Sequence, residues 1–353
     1  LNKEIMKEIV SQKLKNARDL KGFSQQEVAD MIGISKQMIS KYEKGESLPT
    51  STILLKLKKH LNVSMNYFFK PSKIELGVLN FRKKSSFSNK KQESLEQLIK
   101  LNLENYLEIE DLLQIDYSFK NSIGNKKVNS IEDIEKLVLS LRNEWEIGLD
   151  PIHNIIQLLE DNEIKVVELY DVEDAFDGLA TFVNDKFPVI VVNGNFPVER
   201  KRFTLLHELG HLLLNLPECD LKIEENYCNK FASEFLFPKK LVIKEFGVKR
   251  DLISLNELIE VQKKYGMSIQ AIVYRLVDAG IFSENRKTEF YKKLNFKPNI
   301  KREVNLTRFQ TPEKSNRFEQ LVYRALSQEI ISISKASSLL NQDINSLIEN
   351  SLL

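Results

Sequence analysis

Two histidines four residues apart, with a glutamate beside the first, make the pattern His207-Glu208-Leu209-Gly210-His211. The motif sits in an apolar run, with Phe203-Thr204-Leu205-Leu206 before it and Leu212-Leu213-Leu214 after it. On a helix this spacing stacks both imidazoles on one face, a single turn apart. Two imidazoles so placed can grip one Zn²⁺, and Glu208 beside them is the candidate general base. The chain has 4 histidines, so half of them are committed here. His60, on a Lys-rich helix, and His153, near a helix start, read as surface or structural groups.

A zinc site needs a third protein ligand, and the neighbouring elements must bring it in. Residues 198–215 read as the helix that carries the motif, with Pro217 in the following turn. A second helix is expected over about residues 222–237, stopped by Pro238. If the two run antiparallel, heights match outward from the turn at about 1.5 Å per residue. Glu225 then comes level with His211. Glu224 meets nearly the same condition, and spacing does not separate the two. Upstream, residues 152–161 read as a helix and 164–169 as a strand. Residues 179–183 and 189–193 form a hairpin around Asn184-Asp185-Lys186. Zinc lowers the pKa of a water and polarises a scissile carbonyl, and Glu208 would move the proton. An oxyanion donor is also required, with Tyr227 and Asn193 as candidates.

The front of the chain has a different character. Residues 1–70 hold 13 Lys+Arg against 7 Asp+Glu, a net of +6, whereas the whole chain is +2. Charge gathered at one end points to a polyanion partner for that end. Residues 8–20 keep a helical apolar period. Ser24-Gln25-Gln26-Glu27 reads as a capping box that opens a helix over 25–32, which Gly33 stops. Ser35 then caps a second helix over 36–44, and helices near 51–62 and 65–69 complete a five-helix domain. Two short helices joined through Gly33-Ile34-Ser35 are a helix-turn-helix. The second helix buries Ile39 and Tyr42 and shows Lys36, Gln37, Ser40, Lys41 and Lys44 on its other face. Such side chains suit base edges and phosphates.

The segments Phe23–Ala29 and Ile34–Gly45 resemble the Cro/XRE family of phage-type repressors. The resemblance implies that Gln25 holds a phosphate and that Lys36, Gln37, Ser40 and Lys41 face the major groove. It also implies a homodimer on a near-palindromic operator. Arg202 to His211, followed by Glu225-Asn226-Tyr227-Cys228-Asn229-Lys230-Phe231-Ala232, resembles the ImmA/IrrE metallopeptidases. That resemblance implies a third zinc ligand at Glu225 and the cleavage of a repressor-type regulatory protein. Cys228 stands where that family often has alanine and reads as a buried small residue.

The expected architecture is mainly α with a small β-sheet. A helix-turn-helix domain spans 1–70 and a helical connector 71–145, whose basic, Ser-rich stretch 81–91 reads as a linker. A zincin-like domain spans 146–248. A helical region over 249–353 serves packing, dimerisation or partner binding. Apolar content of 42% and charged content of 29% are those of a globular protein. The first residues carry no apolar leader core, and no apolar run reaches the roughly 18–20 residues of a membrane span. Two cysteines make no disulfide framework. The cytoplasm is the expected compartment, with double-stranded operator DNA, a regulatory protein substrate and Zn²⁺ as partners. Three versions of the function stand open. The chain cleaves itself near the linker, it cleaves an operator-bound partner, or it acts as a repressor or antitoxin-like regulator whose zinc domain only senses a signal.

Overall fold

Residues 3–72, 74–77, 88–170, 172–340 and 342–351 are described in the structure, a computed structural model. Of the stretch 81–91 expected as a linker, residues 81–87 lie outside the described residues, and Ser88 caps a helix that starts at Asn89. The described residues divide into two compact units: those within Leu1–Gly77, Phe81–Ile115 and Leu321–Leu353 in one, and those within Asp116–Gln320 in the other.

The first unit opens with α1 (Lys3–Leu20), α2 (Gln25–Ile32), α3 (Lys36–Glu43), α4 (Ser51–Leu61), a 3₁₀ turn at Met65–Phe69 and the long α5 (Asn89–Leu112). The capping box at Ser24 is present in both directions, and Gly33 ends α2 in the left-handed region at φ 75°. Only a residue without Cβ adopts that conformation at no steric cost, so the chain turns there into Ser35 and α3. The expected fifth helix is a single 3₁₀ turn, since five residues give little room for α-type bonds. Helix α1 starts earlier than the periodicity predicts, because Met6 also packs on the core of Leu14, Val28, Ile39, Leu57 and Phe68. The Lys13 ammonium, nearly buried, bonds both carboxylate oxygens of Glu104 at 3.0 and 2.9 Å and ties α1 to α5.

The second unit contains α6 (Ile131–Glu144), α7 (Ile155–Asp161), β1 (Lys165–Leu169), β2 (Gly178–Val183) and β3 (Phe187–Asn193). These are followed by α8 (Val198–Leu213), α9 (Leu221–Leu236), α10 (Lys239–Phe246), α11 (Leu255–Tyr265), α12 (Ile269–Asp278), α13 (Glu284–Phe296) and α14 (Pro298–Val304). The sheet order is β1-β3-β2, parallel between β1 and β3 and antiparallel between β2 and β3. The hairpin falls where the sequence puts it. Asn184 and Asp185 both take positive φ, 50° and 52°, as a two-residue turn between twisted strands requires. Helix α7 begins three residues later than expected. The Glu313 carboxylate accepts the Ile155 and Ile156 amides at 2.6 and 2.8 Å, and the Asn154 side chain accepts the Gln157 amide at 3.0 Å. Those bonds fix the first turn at Ile155.

Helix α8 is buried along most of its length, among Ile190, Val192, Phe231 and Phe235. Gly178 makes this possible on the sheet side. A Cβ there would meet Thr204 Cγ2 and the Val191 carbonyl at 2.9 Å, and Glu208 Cγ at 3.4 Å. The bare backbone lets α8 press against the start of β2 beside Glu208. The chain ends with α15 (Arg317–Ser327), α16 (Ile333–Leu340) and α17 (Ile344–Ser351). The region expected as one C-terminal piece is thus divided: residues up to 320 belong to the second unit and those from 321 to the first. Val273-Tyr274-Arg275 in α12 and Val322-Tyr323-Arg324 in α15 share a pattern but not a role. Arg275 is buried against Glu234, while Arg324 is exposed. Among the described residues no helix is long and apolar enough to cross a membrane.

Candidate metal centre and DNA-reading face

Helices α8 and α9 pack side by side and bring three ligand groups together. His207 Nε2 and His211 Nε2 lie 3.2 Å apart. The Glu225 carboxylate faces both, with one oxygen 3.3 Å from His207 Nε2 and the other 3.5 Å from His211 Nε2. Among the described residues these three form the group of His, Cys, Asp and Glu able to share one ion, with ligand atoms within 4.8 Å of one another. Close approach of the helices rests on Gly210, whose added Cβ would come within 3.3 Å of the Cys228 Cα.

The outer nitrogens of both rings are engaged. His207 Nδ1 meets Asn229 Oδ1 at 2.9 Å, and His211 Nδ1 meets Glu224 Oε1 at 3.1 Å. Both partners are acceptors, so each Nδ1 donates a proton outward and each Nε2 faces inward as the atom a metal ion would take. This separates the two glutamates. Glu225 belongs to the inner group, and Glu224 holds His211 from outside. Asn229, which contacts a candidate ligand, is a residue that the sequence reading missed. Its position one turn after Glu225 is a signal, but only the observed facing of α9 gives it meaning.

The donor set fits a divalent ion. Tetrahedral zinc, with Zn–N near 2.0–2.1 Å, holds its donors about 3.3–3.4 Å apart, and the three separations here bracket that value. The charge balance also asks for a cation. Burial favours a neutral His211 ring, but hydrogen bonds with Cys228 and Glu225, and the nearby Glu208, push its pKa up to about 10. Burial raises the Cys228 thiol, which is fully buried beside His211 and is not one of the three grouped ligands. Glu208 is buried one residue after His207. His211 and Glu225 are partly exposed, and a cleft of about 300 Å³ lined by His211, Leu214, Pro217 and Glu224 opens beside them. Asn193 is fully committed elsewhere. Its amide donates to the Glu173 and Phe176 carbonyls, and its oxygen accepts the Asn195 amide. That removes it as an oxyanion donor. His60 and His153 are exposed.

In the first unit, α3 buries Ile39 and Tyr42, and Lys36, Gln37, Lys41 and Lys44 are exposed, with Ser40 half-buried. Arg18 locks the motif from behind, donating to both oxygens of Glu43 at 2.5 and 3.1 Å. Gln25 donates to the same carboxylate at 2.8 Å, which ties the start of α2 to α3.

Residues 163–277 match the IrrE N-terminal-like domain family, and residues 14–68 match a helix-turn-helix family. The chain thus resembles Cro/XRE-type helix-turn-helix proteins over one stretch and IrrE/ImmA-like peptidases over another. It is similar to the SPbeta prophage-derived uncharacterized HTH-type transcriptional regulator YonR of Bacillus subtilis (strain 168), 42% identical over 59 residues, or 17% of this chain. The chain spans 55% of that relative's length.

Proposed function

We propose that the chain is a DNA-binding transcriptional regulator whose IrrE-like domain is a zinc endopeptidase acting on a repressor-type protein, either itself or a partner held at the same operator. The observation that carries the reading is the convergence of two inward Nε2 atoms and the Glu225 carboxylate, with Glu208 adjacent. His207, His211 and Glu225 would hold the ion. When bound, zinc supplies Lewis acidity at the scissile carbonyl and lowers the pKa of the attacking water. Asn229 and Glu224 fix the ring tautomers. Glu208 takes the water's proton on its carboxylate and passes it to the leaving amine nitrogen.

Replacing Glu208 by Gln removes the base and keeps the three ligands. Glu208→Gln is expected to retain zinc and to slow cleavage of the regulatory protein by about 10²–10⁴-fold. Cleavage that persists at the wild-type rate would refute the assignment. Normal operator regulation in a variant that no longer cleaves would make the zinc domain a sensor.

The exposed face of α3 is the reading surface, with Lys36, Gln37, Ser40, Lys41 and Lys44 toward bases and phosphates, on a homodimer spanning two half-sites. Gln25 shares its amide between Glu43 and a phosphate, since the nitrogen carries two hydrogens. Gln37→Ala is expected to cost about 1–3 kcal/mol of discrimination at one base pair. An equal loss on operator and random duplexes, measured at matched salt, would contradict a base contact there.

A further inference from the structure

The peptidase-bearing unit has a second charged surface that the metal centre does not use. Residues 116–283 carry 20 Lys+Arg against 28 Asp+Glu, a net of −8. The next stretch, 284–302, reverses this with 7 against 2, a net of +5. It forms α13, a turn at Lys297 and α14. Its first two cations are spent locally, Arg286 on Glu289 and Lys287 on Glu284. Lys292, Lys293, Lys297, Lys301 and Arg302 are all exposed. Among the described residues none of these five has an acidic side chain at ion-pair distance, while nearby Glu303 pairs with Arg308.

Five cations gathered within eleven residues repel one another, and a fold keeps such a cluster at a cost unless a polyanion meets it. The apolar residues of α13 do not join the outer face. Leu294 is buried, and Phe290 and Tyr291 pack on the core. Phe296, at 83% exposure, is left as a single apolar group among the charges. A membrane-lying helix needs a continuous apolar face, which this surface lacks. Flexible lysines without a bidentate arrangement suit phosphate neutralisation and carry no base code. The chain also brings DNA with it. This rests on the DNA-binding reading proposed above, by which a duplex held by the helix-turn-helix is at raised effective concentration for any surface of the same polypeptide that can reach it.

We propose that the α13–α14 surface is a second DNA contact, binding duplex phosphates without regard to sequence. It strengthens retention on DNA, while the choice of operator stays with α3. The proposal does not depend on proteolysis.

The test uses the full chain with Lys292→Gln, Lys293→Gln, Lys297→Gln, Lys301→Gln and Arg302→Gln together. All five side chains are exposed, and an unchanged melting temperature checks the fold. Affinity for a random-sequence duplex is measured across about 50–200 mM salt, alongside the reader variant Lys36→Ala/Gln37→Ala/Lys41→Ala and the combination of both sets. The salt slope is expected to fall by about 0.9 per lost phosphate contact, or about 3–5 in all. The operator-to-random affinity ratio should stay within a few-fold of wild type. The reader variant should retain weak duplex binding that the combination abolishes. An unchanged slope, or residual binding that survives the combination, overturns the proposal. So does loss of binding to phosphatidylserine vesicles with duplex binding intact, which would assign the surface to a lipid headgroup. A failed reader variant with an intact slope change would fault the α3 assignment alone.

Discussion

Glu225→Gln is expected to strip zinc from the protein, and Glu224→Gln is expected to keep it. The two residues are neighbours in sequence and carry the same functional group, so composition offers no reason for different outcomes. The geometry does. The Glu225 oxygens lie 3.3 and 3.5 Å from the two inward Nε2 atoms, whereas Glu224 meets His211 at the opposite nitrogen, 3.1 Å from Nδ1. An amide at 225 removes the anionic donor from a three-ligand set, and two imidazoles alone do not close a tetrahedral site. An amide at 224 still accepts a hydrogen bond from Nδ1–H, but less strongly than a carboxylate. Loss of such an outer partner costs about 10–100-fold in metal affinity. Metal content after dialysis, followed by competition against a chromophoric chelator, reads both effects. Stoichiometric zinc in Glu225→Gln, or an empty Glu224→Gln, would exchange the two roles. Asn229→Ala belongs with Glu224→Gln in this scheme, since Asn229 holds His207 in the same way.

Glu313→Ala is expected to destabilise the second unit by about 3–5 kcal/mol. Glu313 and Arg202 form an ion pair with both side chains almost wholly buried. The Arg202 guanidinium also donates to the Ile152 carbonyl at 2.7 Å and the Gly266 carbonyl at 3.2 Å. Burial pulls its pKa down and Glu313 supports its charge against that burial. Removing the carboxylate leaves a positive charge in the core without a counter-ion. It also releases the Ile155 and Ile156 amides at the start of α7. With total stability of a domain about 5–15 kcal/mol, this is a large fraction. Denaturant titration should show a lower midpoint at an unchanged slope. The pairwise nature of the effect is checked by Arg202→Met/Glu313→Leu. Replacing both charges by apolar groups should cost less than removing one. A loss below about 1 kcal/mol in Glu313→Ala would show that water or another group satisfies Arg202. Arg202 lies five residues before His207 on α8, so the same anchor fixes the base of the helix that carries the candidate ligands.

Local signals were readable wherever the deciding interaction spans one or two turns. The Ser24–Glu27 box, the left-handed Gly33, the Asn184-Asp185 turn and the His207–His211 spacing all act within about four residues. Each is found in its expected place. The start of α7 differs from the local signal for the opposite reason: Glu313, more than 150 residues away, supplies part of its cap. Long sequence separation also hid the pairing of Lys13 with Glu104, 91 residues apart, and the return of residues 321–351 to the first unit.

Residue types and spacing alone made the chemistry on offer legible: two imidazoles on one helix face, a carboxylate beside them, a basic exposed helix, and two neighbouring glutamates as candidate third ligands. Which of those glutamates faces the two Nε2 atoms is visible only in the folded chain, and it is Glu225. Adjacent residues on a helix point about 100° apart, and burial of Cys228, Phe231 and Phe235 sets which direction faces α8. Spacing reports height along an axis, while rotation about that axis is set by what the rest of the chain agrees to bury.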